Sequence, residues 1–429
     1  MSSGTAGGTI NRAGRAVVSG LGVVSPIGLG CSAFAAGLRR GESGVGPLGF
    51  DHELMRSSVA ARCDGFDPCS VLPAAEAARL PRLVPMALAA CREALGRVGP
   101  VEGEGARRFG LVLGTGAGGI DFTLDQAHTA YADRQRPSLW TITNATHGNL
   151  AGELSIALGL KGPSWCVSTG CGSSSDAIGQ GLMLLRSGMC DRVLVCGADA
   201  HIRWETLVGM ELLRVISTRD WRGDAVGSAT ASRPFDATRD GFVLGEGAWA
   251  MVLSRPGLDD DAGLGEVLGY SATCDAFHRV RPEPDMAESA RAMRGAIEDA
   301  GVSPESVRVI QYHGTATAVN DVAETKAVRL AFGEHAERLM GSSVKSQIGH
   351  PQGASGAAGV AAVIASLGGL DGGEPFVPPT INLREAGDGC DLDYTPLDAR
   401  PIDRGEAGTV ALVNCLAFGA KNSALVIRV

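Results

Sequence analysis

The chain has 429 residues, 45% of them hydrophobic and 20% charged, with 61 glycines and a formal net charge of −9. That composition describes a globular α/β protein rich in tight loops, and it excludes helical bundles and collagen-like repeats. The acidic balance excludes nonspecific nucleic-acid binding through a basic surface, while leaving room for a local basic patch facing an acidic partner.

Residues 1–14 are small and polar and are expected to be disordered. Order begins with a strand at Arg15–Ser19, followed by a Gly/Pro turn across Gly20–Gly28. Leu83–Leu95 has helical apolar spacing, and Phe109–Gly114 reads as a buried strand entering a glycine turn. Leu154–Leu160 ends a helix, Trp165–Ser168 is a short strand, and Gly170–Arg186 is a helix stopped by Ser187-Gly188. A strand at Arg192–Cys196, a polar loop over Thr230–Gly247 and a strand at Ala248–Leu253 complete a first half. The second half repeats the rhythm. Strands at Glu266–Thr273, Val307–Tyr312 and Leu339–Ser343 alternate with helices at Met286–Ala300, Asp321–Phe332 and Gly356–Leu367. Two last strands, Thr409–Val413 and Ser423–Val429, flank a glycine-bearing loop. Alternation of this kind predicts layered α/β architecture in two halves, 15–258 and 259–429, with no sequence identity visible between them.

Eleven cysteines form no CxxC pair and no Cys/His cluster of zinc-finger spacing. An odd count without a secretory segment fits reduced thiols, and no apolar run approaches a membrane span. A cytoplasmic protein without membrane or nucleic-acid partners is expected.

Cys171 lies in Val167-Ser-Thr-Gly-Cys-Gly-Ser-Ser-Ser, between a strand and an apolar helix. A thiol there sits at the positive end of the helix dipole, where its thiolate is favoured, as in a nucleophile elbow. A small structural cysteine in a glycine turn is the competing account. His313 and His350 stand at the ends of predicted strands, in His313-Gly-Thr-Ala-Thr and Ser346-Gln-Ile-Gly-His350-Pro-Gln-Gly. Strand ends are where α/β sheets gather catalytic groups. Taken singly, either histidine is as well explained by packing. One cysteine with two such histidines suits acyl transfer followed by work on a developing enolate, with no metal. The segment spacing speaks against a Cys/His zinc site.

Together with Val17–Gly28, Gly114–Gly119, Arg233–Gly247, Cys274–Asp285 and Asn414–Asn422, these segments resemble the β-ketoacyl synthases of the thiolase superfamily, in the family's order. The resemblance implies a thiolase-like fold: two similar α/β halves in a five-layer αβαβα arrangement, normally dimeric. It implies that Cys171 carries an acyl chain as a thioester, with the N–H groups of Cys171 and Phe418 as oxyanion hole. His313 and His350 would stabilise the enolate formed when a malonyl unit loses carbon dioxide. Lys345 and Glu324 match positions of the site's polar network, or else form an ordinary ion pair. Thr315 and Thr317 match threonines that bind a carrier's phosphopantetheine arm, and no separate cofactor is implied. Ala117 matches the acyl pocket, with a smaller side chain than fatty-acid enzymes carry. Arg79, Arg82, Arg214 and Arg219 match a surface that docks an acidic acyl carrier protein.

Ser168-Thr-Gly-Cys171 resembles ketosynthase subunits of bacterial type II polyketide systems, which pair with a chain-length factor lacking the cysteine. Alternatives are a housekeeping fatty-acid synthase, an acyltransferase or decarboxylase on the same fold, or a non-catalytic scaffold, which Cys171 argues against. Cys415 is a nominal second cysteine of the degradative-thiolase kind, but the surrounding loop matches synthases better. Ala316, Leu416, Ala417 and Ala420 depart from the family's HGTGT and NSFGFGG patterns. If those loops visit positive φ, alanine there raises the energy by about 1 kcal/mol per position.

Overall fold

A computed structural model describes residues 14–99, 101–259 and 263–429. The expected disorder of 1–14 falls outside this range apart from Gly14. The first strand, β1 (Ala16–Ser25), is wholly buried and runs through the segment expected to turn. Its glycines serve close packing instead. A Cβ at Gly20 or Gly22 would lie 2.0 Å from the carbonyl oxygen of Ala94 or 1.9 Å from that of Ala90. Both oxygens belong to helix α1 (Leu83–Leu95), whose apolar face rests directly on the strand.

Four more strands complete the first half: β2 (Phe109–Gly114), β3 (Ser164–Val167), β4 (Arg192–Asp199) and β5 (Gly247–Ser254). The second half contributes β6 (Gly265–Cys274), β7 (Val307–Gln311), β8 (Met340–Ser342), β9 (Val410–Ala417) and β10 (Lys421–Arg428). Hydrogen bonding orders them β3-β2-β4-β5-β1-β6-β10-β9-β7-β8. Read outward from the β1/β6 seam, both halves run first, fifth, fourth, second, third. Both begin with two antiparallel pairings and end with two parallel ones. The halves therefore share one topology that sequence identity does not reveal. Between them lie helices α3 (Ser173–Arg186) and α6 (Ser355–Leu367), and α6 is buried on every side. Helix α1 with α2 (His147–Leu158) covers one outer face, and α4 (Ala287–Ala300) with α5 (Asn320–Phe332) the other. The result is the expected five-layer, thiolase-like arrangement.

Among the described residues, the sequence pattern missed three helices of nine residues or more, Cys31–Arg40, Ile120–Tyr131 and Trp204–Leu212. The polar loop expected at 230–247 ends in a buried run, Phe242–Glu246. Its backbone is committed to the site, because His350 N–H donates to the Val243 carbonyl at 2.7 Å and Gly245 N–H to the His350 carbonyl at 3.0 Å.

Candidate active site

Gly170 takes φ 68°, and the tight turn Gly170–Gly172 lifts Cys171 between β3 and α3. The thiol is buried, yet its residue lines a cavity of about 300 Å³ together with His313, His350, Thr315, Thr317 and Phe418. Cys171 Sγ and one ring nitrogen from each histidine lie within 4.8 Å of one another. The two imidazole rings sit 5.3 Å apart at 86°.

His313 is held from both sides. Glu324, fully buried at the start of α5, accepts the His313 N–H at 2.6 Å and the Gly314 N–H at 2.7 Å. Asn414 Nδ2 donates to the same carboxylate at 2.7 Å. Lys345 Nζ donates to the His313 carbonyl at 2.7 Å and lies 3.5 Å from its Nδ1. No direct Lys345–Glu324 ion pair occurs among the described residues; the two charges clamp one peptide between them. Burial pushes the Glu324 carboxyl up to about 7 and pulls the Lys345 ammonium down.

Burial first, then Lys345, holds both imidazoles well below their ordinary value, so both are neutral. An ammonium donates and does not accept, which makes Nδ1 of His313 the acceptor and leaves its proton on Nε2. His350 Nδ1 faces the Ser355 hydroxyl at 3.1 Å, and Phe242 packs edge-on against its ring at 5.1 Å. Spacing in the sequence therefore did not keep one cysteine and two histidines apart. A metal site, however, asks the outer nitrogen to donate and the inner one to offer a lone pair. His313 has the opposite arrangement, suited to giving hydrogen bonds to an oxyanion.

Burial opposes the thiolate that the helix dipole is expected to favour. Burial pushes the Cys171 thiol up to about 12, against the opposing pull of Lys345 and a hydrogen bond from Phe418 N–H. Desolvation of the enclosed sulfur thus works against the helix dipole at the turn.

The family model for the beta-ketoacyl synthase N-terminal domain matches residues 14–256, and that for the C-terminal domain matches 264–384. A 3-oxoacyl-[acyl-carrier-protein] synthase 2 from Synechocystis is 36% identical, over 96% of this chain and 98% of the relative. The ishigamide ketosynthase/chain length factor structure superposes with a TM-score of 0.85 at 30% identity, covering 96% and 98% of the two chains. A type II PKS ketosynthase, bound to the hexaketide and to its acyl-carrier protein, gives 0.84 at 26% identity, covering 96% and 99%.

The chain belongs to the beta-ketoacyl synthase family.

This synthase is thus an enzyme of the acyltransferase type. At the mouth of its cavity stand Arg214, Arg281 and Lys421 against one carboxylate, Asp275. Arg214 is exposed with φ 58°, and neither it nor Arg281 has an ion pair among the described residues. Arg79 is exposed away from this cavity, and Arg219 leans on Asp240 at 3.7 Å. Arg82, expected as a docking residue, is committed to an ion pair. Its half-buried guanidinium is forked onto the buried Glu246 at 2.8 and 3.1 Å and also donates to the Cys63 carbonyl.

Thr315 and Thr317 share a 3.0 Å hydroxyl contact on the cavity wall. Ala117 does not line this cavity. It lies on the loop after β2, where its N–H donates to buried Asp199 at 3.0 Å. Ala316 and Ala420 occupy the left-handed region at φ 64° and 62°, while Ala417 closes strand β9. Leu416 and Ala417 also line the cavity. Sequence reasoning missed Gln352, whose Oε1 lies 3.6 Å from Cys171 Sγ, and also Phe242, Arg281 and the buried His201. Gln352 was legible as a neighbour of His350, two residues on; the others carry no local signal.

Proposed function

We propose that the synthase elongates an acyl chain by decarboxylative condensation, with Cys171 as acyl acceptor. The Cys171 sulfur attacks the carbonyl of an acyl thioester, and its proton leaves with the carrier's thiol. A malonyl thioester then loses carbon dioxide, and His313 and His350 donate hydrogen bonds to the enolate oxygen. The carbanion attacks the Cys171 thioester, the new C–C bond replaces the C–S bond, and the released thiolate takes up one proton. The N–H groups of Cys171 and Phe418 serve the tetrahedral oxygen. The substrates arrive on phosphopantetheine, and no separate cofactor takes part. The observation that carries this reading is the convergence of one thiol and two neutral imidazoles within 4.8 Å on a cavity with a basic mouth.

An acidic acyl carrier protein is the partner that this mouth suits, with Thr315 and Thr317 along the path of its arm. The Ser168–Cys171 motif, and likeness to a type II PKS ketosynthase bound to a hexaketide, support a bacterial type II polyketide pathway. The 36% identity to a 3-oxoacyl-[acyl-carrier-protein] synthase 2 favours a second reading, fatty-acid elongation. Strand β3 pairs on one side with β2, and its Ser164 and Trp165 remain exposed beside Ile156 of α2. This edge supports a dimer, with a second copy or with a homologue acting as chain-length factor. We take residues 15–258 and 259–429 as the two halves of the chain. Among the described residues no helix is long and apolar enough to cross a membrane, and a cytoplasmic location is part of the proposal.

Intact-mass spectrometry of wild type and Cys171→Ala, mixed with acyl-loaded and malonyl-loaded carrier, tests the reading. An adduct on wild type alone with an extended β-ketoacyl carrier is expected. An adduct without extension would turn the reading to acyl transfer or to a missing subunit, and no adduct would overturn it.

A further inference from the structure

The condensation outlined above leaves one polar side chain at the sulfur without a task. Gln352 is 7% exposed, its Oε1 lies 3.6 Å from Cys171 Sγ, and its Nε2 is buried with no partner. It does not line the entrance cavity, although the cysteine does. The segment that bears it is fixed. Gln352 opens a short 3-10 turn, Gln352–Ala354, at φ 44°, and the next N–H, of Gly353, donates to buried Asp199 at 2.7 Å. The same carboxylate takes the N–H groups of Gly116 and Ala117 at 2.8 and 3.0 Å, which joins this turn to the loop after β2. The amide therefore faces the sulfur from a pinned backbone.

In the free enzyme the Cys171 S–H donates to Oε1. Acylation removes that proton, and a thioester sulfur has none to give. With a saturated chain on the sulfur, both ends of the amide are then buried without a partner, which is unfavourable. A chain carrying oxygen on its third carbon brings a hydrogen-bonding group back within reach of the amide. We propose that Gln352 is a specificity-determining residue that selects β-oxygenated acyl chains, 3-oxo or 3-hydroxy, over saturated ones in the acylation of Cys171. The inference rests on the reading of Cys171 as acyl acceptor and names the substrate class for that site.

The test is time-resolved intact-mass measurement of Cys171 acylation by carrier-bound hexanoyl, 3-oxohexanoyl and 3-hydroxyhexanoyl chains. Wild type and Gln352→Leu, of similar volume without the amide, are compared as full-length protein. Wild type should take an oxygenated chain roughly 5- to 150-fold faster than hexanoyl, the range expected for pairing one buried polar group. In Gln352→Leu the ratio should fall to within about twofold, chiefly through faster hexanoyl transfer. A gain with both oxygenated chains assigns the N–H as donor, since both oxygens accept; a gain with 3-hydroxyhexanoyl alone assigns the amide oxygen as acceptor. Equal wild-type rates, or an unchanged ratio in the variant, would overturn the proposal while leaving Cys171 as acyl acceptor. Should Gln352→Leu melt early, equal wild-type rates still overturn the proposal, and Gln352→Met supplies the variant comparison. Absence of any adduct would overturn the acceptor reading, and this inference with it.

Discussion

Lys345 Nζ stands 2.7 Å from the carbonyl oxygen of His313 and 3.5 Å from that residue's Nδ1, so one buried cation fixes both the backbone and the tautomer of the histidine. The same charge helps to keep the imidazole neutral, second only to burial, with His350 adding to the effect.

Replacing Lys345 by Met removes that repulsion and leaves the carbonyl without its donor. The imidazole value should rise toward its ordinary 6.5, since less opposes the charged form. Below that value His313 would carry a second ring proton and lose its fixed tautomer. Carbon dioxide release from malonyl carrier should fall by roughly 10²-fold at neutral pH. Its acid limb should move to higher pH than in wild type. A limb that stays in place would mean that burial alone sets the histidine.

The raised thiol makes a second expectation. With Cys171 pushed up to about 12, the free enzyme holds a thiol, and each pH unit below 12 costs tenfold in thiolate. Alkylation by iodoacetamide, followed by peptide mass analysis, should therefore keep climbing through pH 9 without a plateau. A plateau for Cys171 near pH 7 would mean that the helix N-terminus outweighs desolvation after all.

That contest marks where sequence reading stopped. A strand–glycine–cysteine–helix succession reveals the elbow, and strand ends followed by His-Gly and Gly-His reveal where the histidines stand, because these are local patterns. Enclosure is not local. Nothing near residue 171 announces that the sulfur is covered by elements from both halves, and so the desolvation that opposes its thiolate is not legible there. The glycines at 20 and 22 suffered the same fate, since their turn-like signature is equally that of a strand pressed against a helix. The buried run Phe242–Glu246 looked like a polar loop because the backbone it supports, that of His350, is over a hundred positions away. Helix Ile120–Tyr131 was hidden by a mixed polar face, with Phe122 its sole buried side chain.

Ala316 and Ala420 sit at φ 64° and 62°, where an L side chain is disfavoured by about 1 kcal/mol. Glycine removes that cost and adds a comparable amount of unfolded-state freedom. Ala420→Gly should thus leave stability within about 0.5 kcal/mol of wild type in urea titration. Ala361→Gly, in the interior of buried α6, should lose about 1 kcal/mol or more. Equal losses at the two positions would show that residue 420 does not need its left-handed backbone in solution.

Arg82 and Glu246 offer a contrast between burial and docking. The Glu246 side chain is 3% exposed and also accepts the Cys63 N–H at 2.9 Å, so it depends on the arginine for countercharge. Arg82→Ala should destabilise the fold by about 3 kcal/mol, the lower part of the range for breaking a buried pair because the arginine is itself 32% exposed. Arg82→Leu should do the same, read as a lowered urea midpoint with an unchanged slope. A loss of carrier binding with no loss of stability would return Arg82 to the docking surface.

Arg214 and Arg281 are the better docking pair, since both border the cavity that holds Cys171 and neither is spent on a carboxylate among the described residues. An acidic carrier approaching this mouth meets two guanidinium groups and Lys421 against Asp275, a field that speeds encounter and fades with salt. Reversing both charges, Arg214→Glu with Arg281→Glu, should raise KM for acyl carrier by roughly tenfold at low ionic strength and leave kcat within about twofold. At 0.5 M salt, where screening acts within about 4–5 Å, most of that difference should vanish. Acylation by a small pantetheine thioester without the carrier protein should be unchanged, because that substrate presents no acidic surface to the mouth. A KM effect of equal size on the small thioester would assign the two arginines to cavity shape instead of to the carrier.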